Sequence, residues 1–196
     1  MRISANHQAF FMVCYIKQFM IYEPAEDSFM LKHKISNLVS KGMKVLDMGC
    51  GSGILAQEAL DCGAEVLAAD INPDAVKFCK KLGIKAVVSD LFSNISKEKF
   101  DLITFNPPYL PRDEIEDEES ALVTTGGDKG NEILGRFLKE AGNFLNKESK
   151  ILFIASSLTP DVDKLLADNN YSFKVVSEKP LFFEKLRVCL AQNFQV

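Results

Sequence analysis

Four short apolar runs, KVLDM (44–48), EVLAA (65–69), KAVV (85–88) and FDLITF (100–105), recur with connecting segments between them, and this constrains the fold more than any other feature. Parallel strands need a crossover between them, and strands covered by helices on both faces read as near-continuous apolar runs. The connecting segments carry helix signals. Pro24-Ala25-Glu26-Asp27 opens a helix to about Ser40, with acids in the first turn where the helix dipole favours them. Gly53 to Cys62 is a second helix, stopped at Gly63, and Asn72-Pro73-Asp74 starts a third with an N-cap and a proline at the first helical position, ending at Gly83. A fourth, amphipathic, from Asn131 to Leu145 precedes a strand over 150–155. Ser172–Val176 and Leu186–Gln192 then flank KPLFFE with no room for a crossover, which predicts an antiparallel hairpin at the sheet edge. The expected fold class is α/β, a mostly parallel sheet with helices on both faces.

The 196 residues, 47% of them hydrophobic, suffice for one sizeable domain, expected over 21–196. Residues 1–20 form an unassigned extension whose apolar stretch, Ala9 to Ile16, imitates a signal peptide but lacks a small-residue cleavage site; Met20 is an alternative start. No apolar run approaches the roughly 18 to 20 residues that span a bilayer. The five cysteines are odd in number and contain no C-x-x-C pair, which fits a reducing cytoplasm, and the two histidines, His7 and His33, form no metal-ligand pattern. A net charge of −4 supplies no overall field that would attract nucleic acid.

The loop Asp47-Met48-Gly49-Cys50-Gly51-Ser52-Gly53 follows the first strand and opens a helix, a place where glycines let backbone approach a ligand. Its spacing is G-x-G-x-G rather than the G-x-G-x-x-G of dinucleotide sites. Asp47 would repel a pyrophosphate, so a cationic or amino-bearing ligand is favoured. Asp70 and Asp90 end the second and third strands, the edge at which open α/β sheets bind ligands. S-adenosylmethionine suits this set, with Asp47 at its amino group, Asp70 at the ribose, and Asp90 with Leu91 at the adenine. Strand-end aspartates also serve as helix caps, but three at successive strand ends beside a glycine loop are harder to explain that way.

Asn106-Pro107-Pro108-Tyr109 follows the fourth strand. Prolines delete backbone donors, so this segment offers acceptors without competing N–H groups. The Asn106 side-chain oxygen and the Pro107 carbonyl can accept both hydrogens of a substrate NH2, orienting its nitrogen toward the reacting methyl. Tyr109 can stack on a flat amide or base and lie near the positive sulfonium. In an isolated loop the same residues would be only a rigid turn.

Taken in order, IYEPAEDSFML, DMGCGSG, ADINP, SDLF, NPPYLP and GGDKGNEILGRFL resemble the class I S-adenosylmethionine-dependent methyltransferases. Over about residues 21–196 the chain resembles the HemK-related enzymes, specifically the small archaeal and eukaryotic release-factor glutamine methyltransferases. The resemblance implies a Rossmann-like fold with a seven-stranded sheet, and methylation of the glutamine amide of the GGQ motif in a class I release factor. It places cofactor contacts on Ser28, Asp47, Gly49, Gly51, Asp70, Asp90, Leu91 and Asn106, and substrate contacts on Asn106, Pro107, Pro108 and Tyr109. Ser28 stands where threonine is usual, and Asp47 where glutamate is frequent, one methylene short. Family members often work with a small zinc-binding activator subunit.

Two other functions compete. An amino-base methyltransferase acting on DNA or RNA uses the same NH2-holding motif but needs basic surface for the backbone, whereas Asp113 to Glu119 carries six acids beside the expected mouth. A non-catalytic cofactor-binding module is disfavoured by the intact NPPY segment.

Overall fold

The computed structural model describes residues 24–112 and 124–194. The expectations for the extension 1–20 and for the acidic run 113–119 fall outside them. Five α-helices and seven strands alternate as α1 (Glu26–Leu38), β1 (Lys44–Met48), α2 (Ile54–Asp61), β2 (Glu65–Asp70), α3 (Pro73–Lys81), β3 (Ala86–Val88), β4 (Phe100–Phe105), α4 (Glu132–Ala141), β5 (Leu145–Ser156), α5 (Val162–Asp168), β6 (Tyr171–Pro180) and β7 (Lys185–Asn193) among these residues. One sheet holds all seven strands in the order β3-β2-β1-β4-β5-β7-β6. Strands β1 to β5 are mutually parallel, and β7 runs antiparallel to both β5 and β6. This is the Rossmann-like arrangement with a C-terminal antiparallel hairpin.

Side chains along each strand divide between two cores. Leu46, Met48, Ile103 and Phe105 meet Leu134, Phe137 and Leu138 of α4 and Val162 and Leu166 of α5. On the other face Val45, Val66, Leu102 and Leu152 meet Leu31 and Ile35 of α1, Ala56 of α2 and Val76 of α3. Burial on both faces explains why the runs read as continuously apolar. The Asn72 side chain caps α3 by accepting from the Asp74 N–H at 2.9 Å, with Pro73 at the first position, as its sequence predicts.

Three boundaries differ from expectation. Helix α4 stops at Ala141, a 3-10 turn covers Gly142–Phe144, and β5 begins at Leu145, five residues before the expected start at Lys150. Leu145 is fully buried opposite Phe100, and a bulge separates that pairing from the regular ladder. Helix α5 was not anticipated. The hairpin is longer than its apolar residues indicate, because β6 continues through Ser177-Glu178-Lys179-Pro180, polar residues and a proline that an edge strand tolerates. Among the described residues no helix is long and apolar enough to cross a membrane.

Candidate active site

The crossover between β1 and β4, where strand order reverses, leaves a crevice at the C-terminal ends of the parallel strands. A cavity of about 750 Å³ opens there, and its wall includes Ser28, Gly49, Gly51, Asp70, Asp90, Leu91 and all of Asn106-Pro107-Pro108-Tyr109. These residues come from five separate stretches of sequence.

The glycine loop is bent by backbone that side chains resist. Gly49 has φ +66°, and a Cβ there would stand 3.3 Å from the Phe105 ring. Gly51 has φ +46° and faces open space, so any side chain would intrude where a ligand passes. Asp70 ties this loop down: its Oδ2 accepts from the Gly51 N–H at 2.8 Å and its Oδ1 from the Asn72 N–H at 2.8 Å. The Ile71 N–H bears on the same carboxylate, and three amide donors on about four acceptor positions leave at least one lone pair for a ligand hydroxyl. Burial raises the Asp70 pKa, against the opposing effect of those amide donors.

Asp47 departs from expectation. It is fully buried and is not among the residues lining the cavity. Its Oδ2 accepts from the Ala56 N–H at 3.0 Å and its Oδ1 from the Thr104 hydroxyl at 2.9 Å. The reason is local: α2 has Gly53 at its N-cap position and no side-chain cap, so an N–H of its first turn would otherwise be orphaned. Register sets Asp47 directly beside Thr104 on the same face of the sheet. Burial pushes the Asp47 carboxyl up to about 7, opposed by the Thr104 and Ala56 bonds. The aspartate supports the loop from beneath.

At the far end of the cavity, Asp90 accepts from the Arg136 guanidinium at 2.8 Å, a partly exposed pair. Leu91, buried beside it, holds φ +46°, an uncommon conformation for a leucine and one that clusters at ligand clamps. The Ser89 hydroxyl, which donates to the Leu91 carbonyl at 2.6 Å and accepts from the Asn94 N–H at 3.0 Å, keeps this turn in place.

The NPPY segment leaves β4 under the lip of the cavity. Asn106 Nδ2 donates to Ser28 Oγ at 3.3 Å, while Asn106 Oδ1 is buried with no partner among the described residues. Ser28 in turn donates from Oγ to Asp27 Oδ1 at 3.2 Å, and the Ser28 N–H donates to the same oxygen at 2.6 Å. A serine has one hydroxyl hydrogen and a carboxylate oxygen only accepts, so this sequence of bonds sets which end of the Asn106 amide faces the serine. The carbonyl end is left for something else. Tyr109 is half-buried, and burial, then Asp27 and Glu184 nearby, raise its phenol pKa.

Sequence reasoning missed Asp27, Arg136 and the GGDKG loop as parts of this site. Asp27 read as a dipole-compensating acid at the start of α1, yet it is buried in the cavity wall. Gly126 lies against the NPPY backbone so closely that a Cβ would stand 2.6 Å from the Pro108 carbonyl oxygen. Its N–H donates to the Leu110 carbonyl at 2.9 Å, and the Leu110 N–H donates to the Thr124 carbonyl at 2.9 Å. The paired glycines were the available signal.

Residues 28–183 match the family described as methyltransferase small domain. The chain belongs to that family. Its relatives include a Methanocaldococcus jannaschii protein provisionally named a protein N5-glutamine methyltransferase, 41% identical over 79% of this chain and 82% of its own length. The mouse methyltransferase HEMK2 is 30% identical over 64% of this chain and 67% of its own. Among solved structures, the E. cuniculi Mtq2–Trm112 complex, described as responsible for methylating the eRF1 termination factor, superposes with a TM-score of 0.72 at 23% identity, covering 88% of this chain and 98% of that one. The chain is a HemK-related class I methyltransferase, and its cofactor is S-adenosylmethionine. The cavity wall fits that group: glycine backbone without side chains, a carboxylate at the end of β2 able to accept from hydroxyls, and a buried leucine beside an aspartate.

Proposed function

We propose that this methyltransferase modifies the side-chain amide nitrogen of a glutamine, that of the GGQ motif in a class I release factor. The observation that carries the reading is the unpartnered, buried Asn106 Oδ1. An orphaned buried acceptor costs about 1 to 3 kcal/mol, and a substrate NH2 would relieve that cost.

Gly49, Gly51, Asp70, Asp90 and Leu91 would hold the cofactor, with Asp47 supporting the loop from beneath and Ser28 orienting Asn106 at its edge. When bound, S-adenosylmethionine supplies an electrophilic methyl group on a sulfonium. An amide nitrogen is a weak nucleophile because its lone pair is delocalised into the carbonyl. Asn106 Oδ1 accepts one amide hydrogen and the Pro107 carbonyl the other, which draws the N–H bonds toward the protein and returns electron density to nitrogen. Pro107 and Pro108 hold these acceptors rigidly without adding donors. Tyr109, on the cavity wall, would stack on the flat amide and offer its ring face to the sulfonium charge. No base is required before transfer, since the amide starts neutral and its proton leaves after the new N–C bond forms.

The names of the relatives support a protein substrate, and the net charge of −4 disfavours a nucleic-acid backbone. A small activator subunit, zinc-binding by the family resemblance, is part of the same reading. Among the described residues strand β3 is an open edge of the sheet, and Val88 at its end, Ile71 just after β2 and Leu82 just after α3 are exposed at 40%, 52% and 43% respectively. Apolar side chains beside an unpaired strand edge suit a partner that adds a strand.

The test is transfer of labelled methyl to a purified class I release factor, alone and bound to its GTPase partner, beside a version with the GGQ glutamine replaced. Label on the intact factor alone is expected. Label on duplex DNA or structured RNA instead would move the enzyme to the amino-base class.

A further inference from the structure

The most exposed large apolar side chains among the described residues are Phe182 and Phe183, at 91% and 85%. They occupy the turn between β6 and β7, closed by the Leu181 N–H donating to the Glu184 carbonyl at 2.7 Å. Two such rings leave about 300 Å² or more of aromatic surface in water, an arrangement that marks interaction sites when it is contiguous. The rings hold each other edge to face, with centroids 4.7 Å apart, so they are partly ordered in advance of any contact.

Topology places this turn at the same end of the sheet as the active site. Because β7 runs antiparallel to β5, Ser156 at the C-terminal end of β5 pairs with Leu186 at the start of β7. The turn therefore projects from the same sheet edge as NPPY. Strand β7 lies two positions from β4, roughly 10 Å at about 4.8 Å per strand. The turn is also tied to the site: Ser156 Oγ donates to the Glu184 carboxylate, the Ser156 N–H donates to Thr159 Oγ1 at 3.3 Å, and Thr159 Oγ1 donates to the Tyr109 carbonyl at 3.4 Å.

We propose that Phe182 and Phe183 are a docking anchor for the folded protein that presents the target glutamine, received by an apolar surface beside the glutamine's loop. This rests on the protein-substrate reading above. A standard protein interface covers about 800 Å² per partner, a disc about 16 Å in radius. Any protein seated over NPPY with that footprint reaches the hairpin tip. A short flexible peptide carrying the same glutamine has no folded apolar surface to lay on the rings and pays the entropy of ordering any segment that touches them. The anchor thus accounts for selection of an intact protein over an isolated sequence, with aromatic residues in the role they commonly play at interface centres.

The test compares the full wild-type chain with the double variant Phe182→Ala/Phe183→Ala on two substrates, an intact class I release factor and a peptide of about a dozen residues containing GGQ. Expected is a KM for the intact factor at least 10-fold higher in the variant, with kcat within twofold and peptide kcat/KM unchanged; Phe182→Leu/Phe183→Leu recovers most of the affinity. An unchanged KM for the intact factor overturns the anchor alone. So does a parallel fall in peptide kcat/KM, which would make the tip part of the site's internal architecture. A wild-type dimer that dissociates in the variant without a change in KM would assign the rings to self-association. A wild-type enzyme that labels nucleic acid and not the release factor overturns the substrate reading and the anchor with it.

Discussion

Asn106 Nδ2 donates to Ser28 Oγ at 3.3 Å, and this one bond between the end of β4 and the start of α1 decides which end of the amide is held by the protein. With the amino end bound to serine, Oδ1 is left buried and unpartnered. The residues are 78 apart in sequence.

Asn106→Ala removes the acceptor itself. Transfer to the release factor is expected to fall by about 100-fold, the equivalent of about 3 kcal/mol for a charge-developing partner left unpaired. Cofactor affinity should change by less than threefold. Labelled-methyl transfer and calorimetry check the two halves, and methylation at the wild-type rate would remove Asn106 from the proposed role.

Ser28→Ala leaves Asn106 in place but frees its amide to turn over. Loss of a positioning bond of about 1 kcal/mol predicts a fall in kcat of about 5-fold. Ser28→Thr keeps a hydroxyl and should retain the wild-type rate. If Ser28→Ala weakened cofactor binding without affecting kcat, Ser28 would be a cofactor contact and not a support for Asn106.

Asp70→Ala removes the acceptor for the Gly51 and Asn72 N–H groups as well as the proposed ribose contact. Bonds to a charged group contribute about 1.5 to 3 kcal/mol, so the Kd for S-adenosylmethionine should rise at least 10-fold. Equal affinities by calorimetry would show that the ribose lies elsewhere.

Asp47 gives a pH dependence of stability with a definite sign. Its carboxyl has an ordinary value of 3.8 and is raised to about 7 in the folded chain, chiefly by burial. Between those values the folded state binds more protons than the unfolded state, so this group's contribution is present at low pH and is lost as pH rises toward 7. The urea midpoint should decline from pH 5 to pH 7, and Asp47→Asn, which cannot titrate, should flatten that decline. An identical slope in the variant would mean that other groups cause it.

The four apolar runs, the capped start of α3 and the order DMGCGSG, SDLF, NPPY were sufficient by themselves for the parallel core, its helical layers and the ligand-binding edge. These features are local: strand burial on both faces, helix capping and glycine turns are each written within a few neighbouring residues. Where Asp47 points was not, because it depends on the register of β1 against β4 and on the missing cap of α2. The same holds for Asp27, an ordinary first-turn acid in the sequence and a buried member of the cavity wall in the fold. The Asp27–Ser28–Asn106 connection, the pressing of Gly126 onto Pro108, and the placing of Phe182 and Phe183 at the same end of the sheet as NPPY all join segments distant along the chain. Only tertiary packing decides such contacts, since nothing in a residue's own neighbourhood states which distant backbone will be laid beside it.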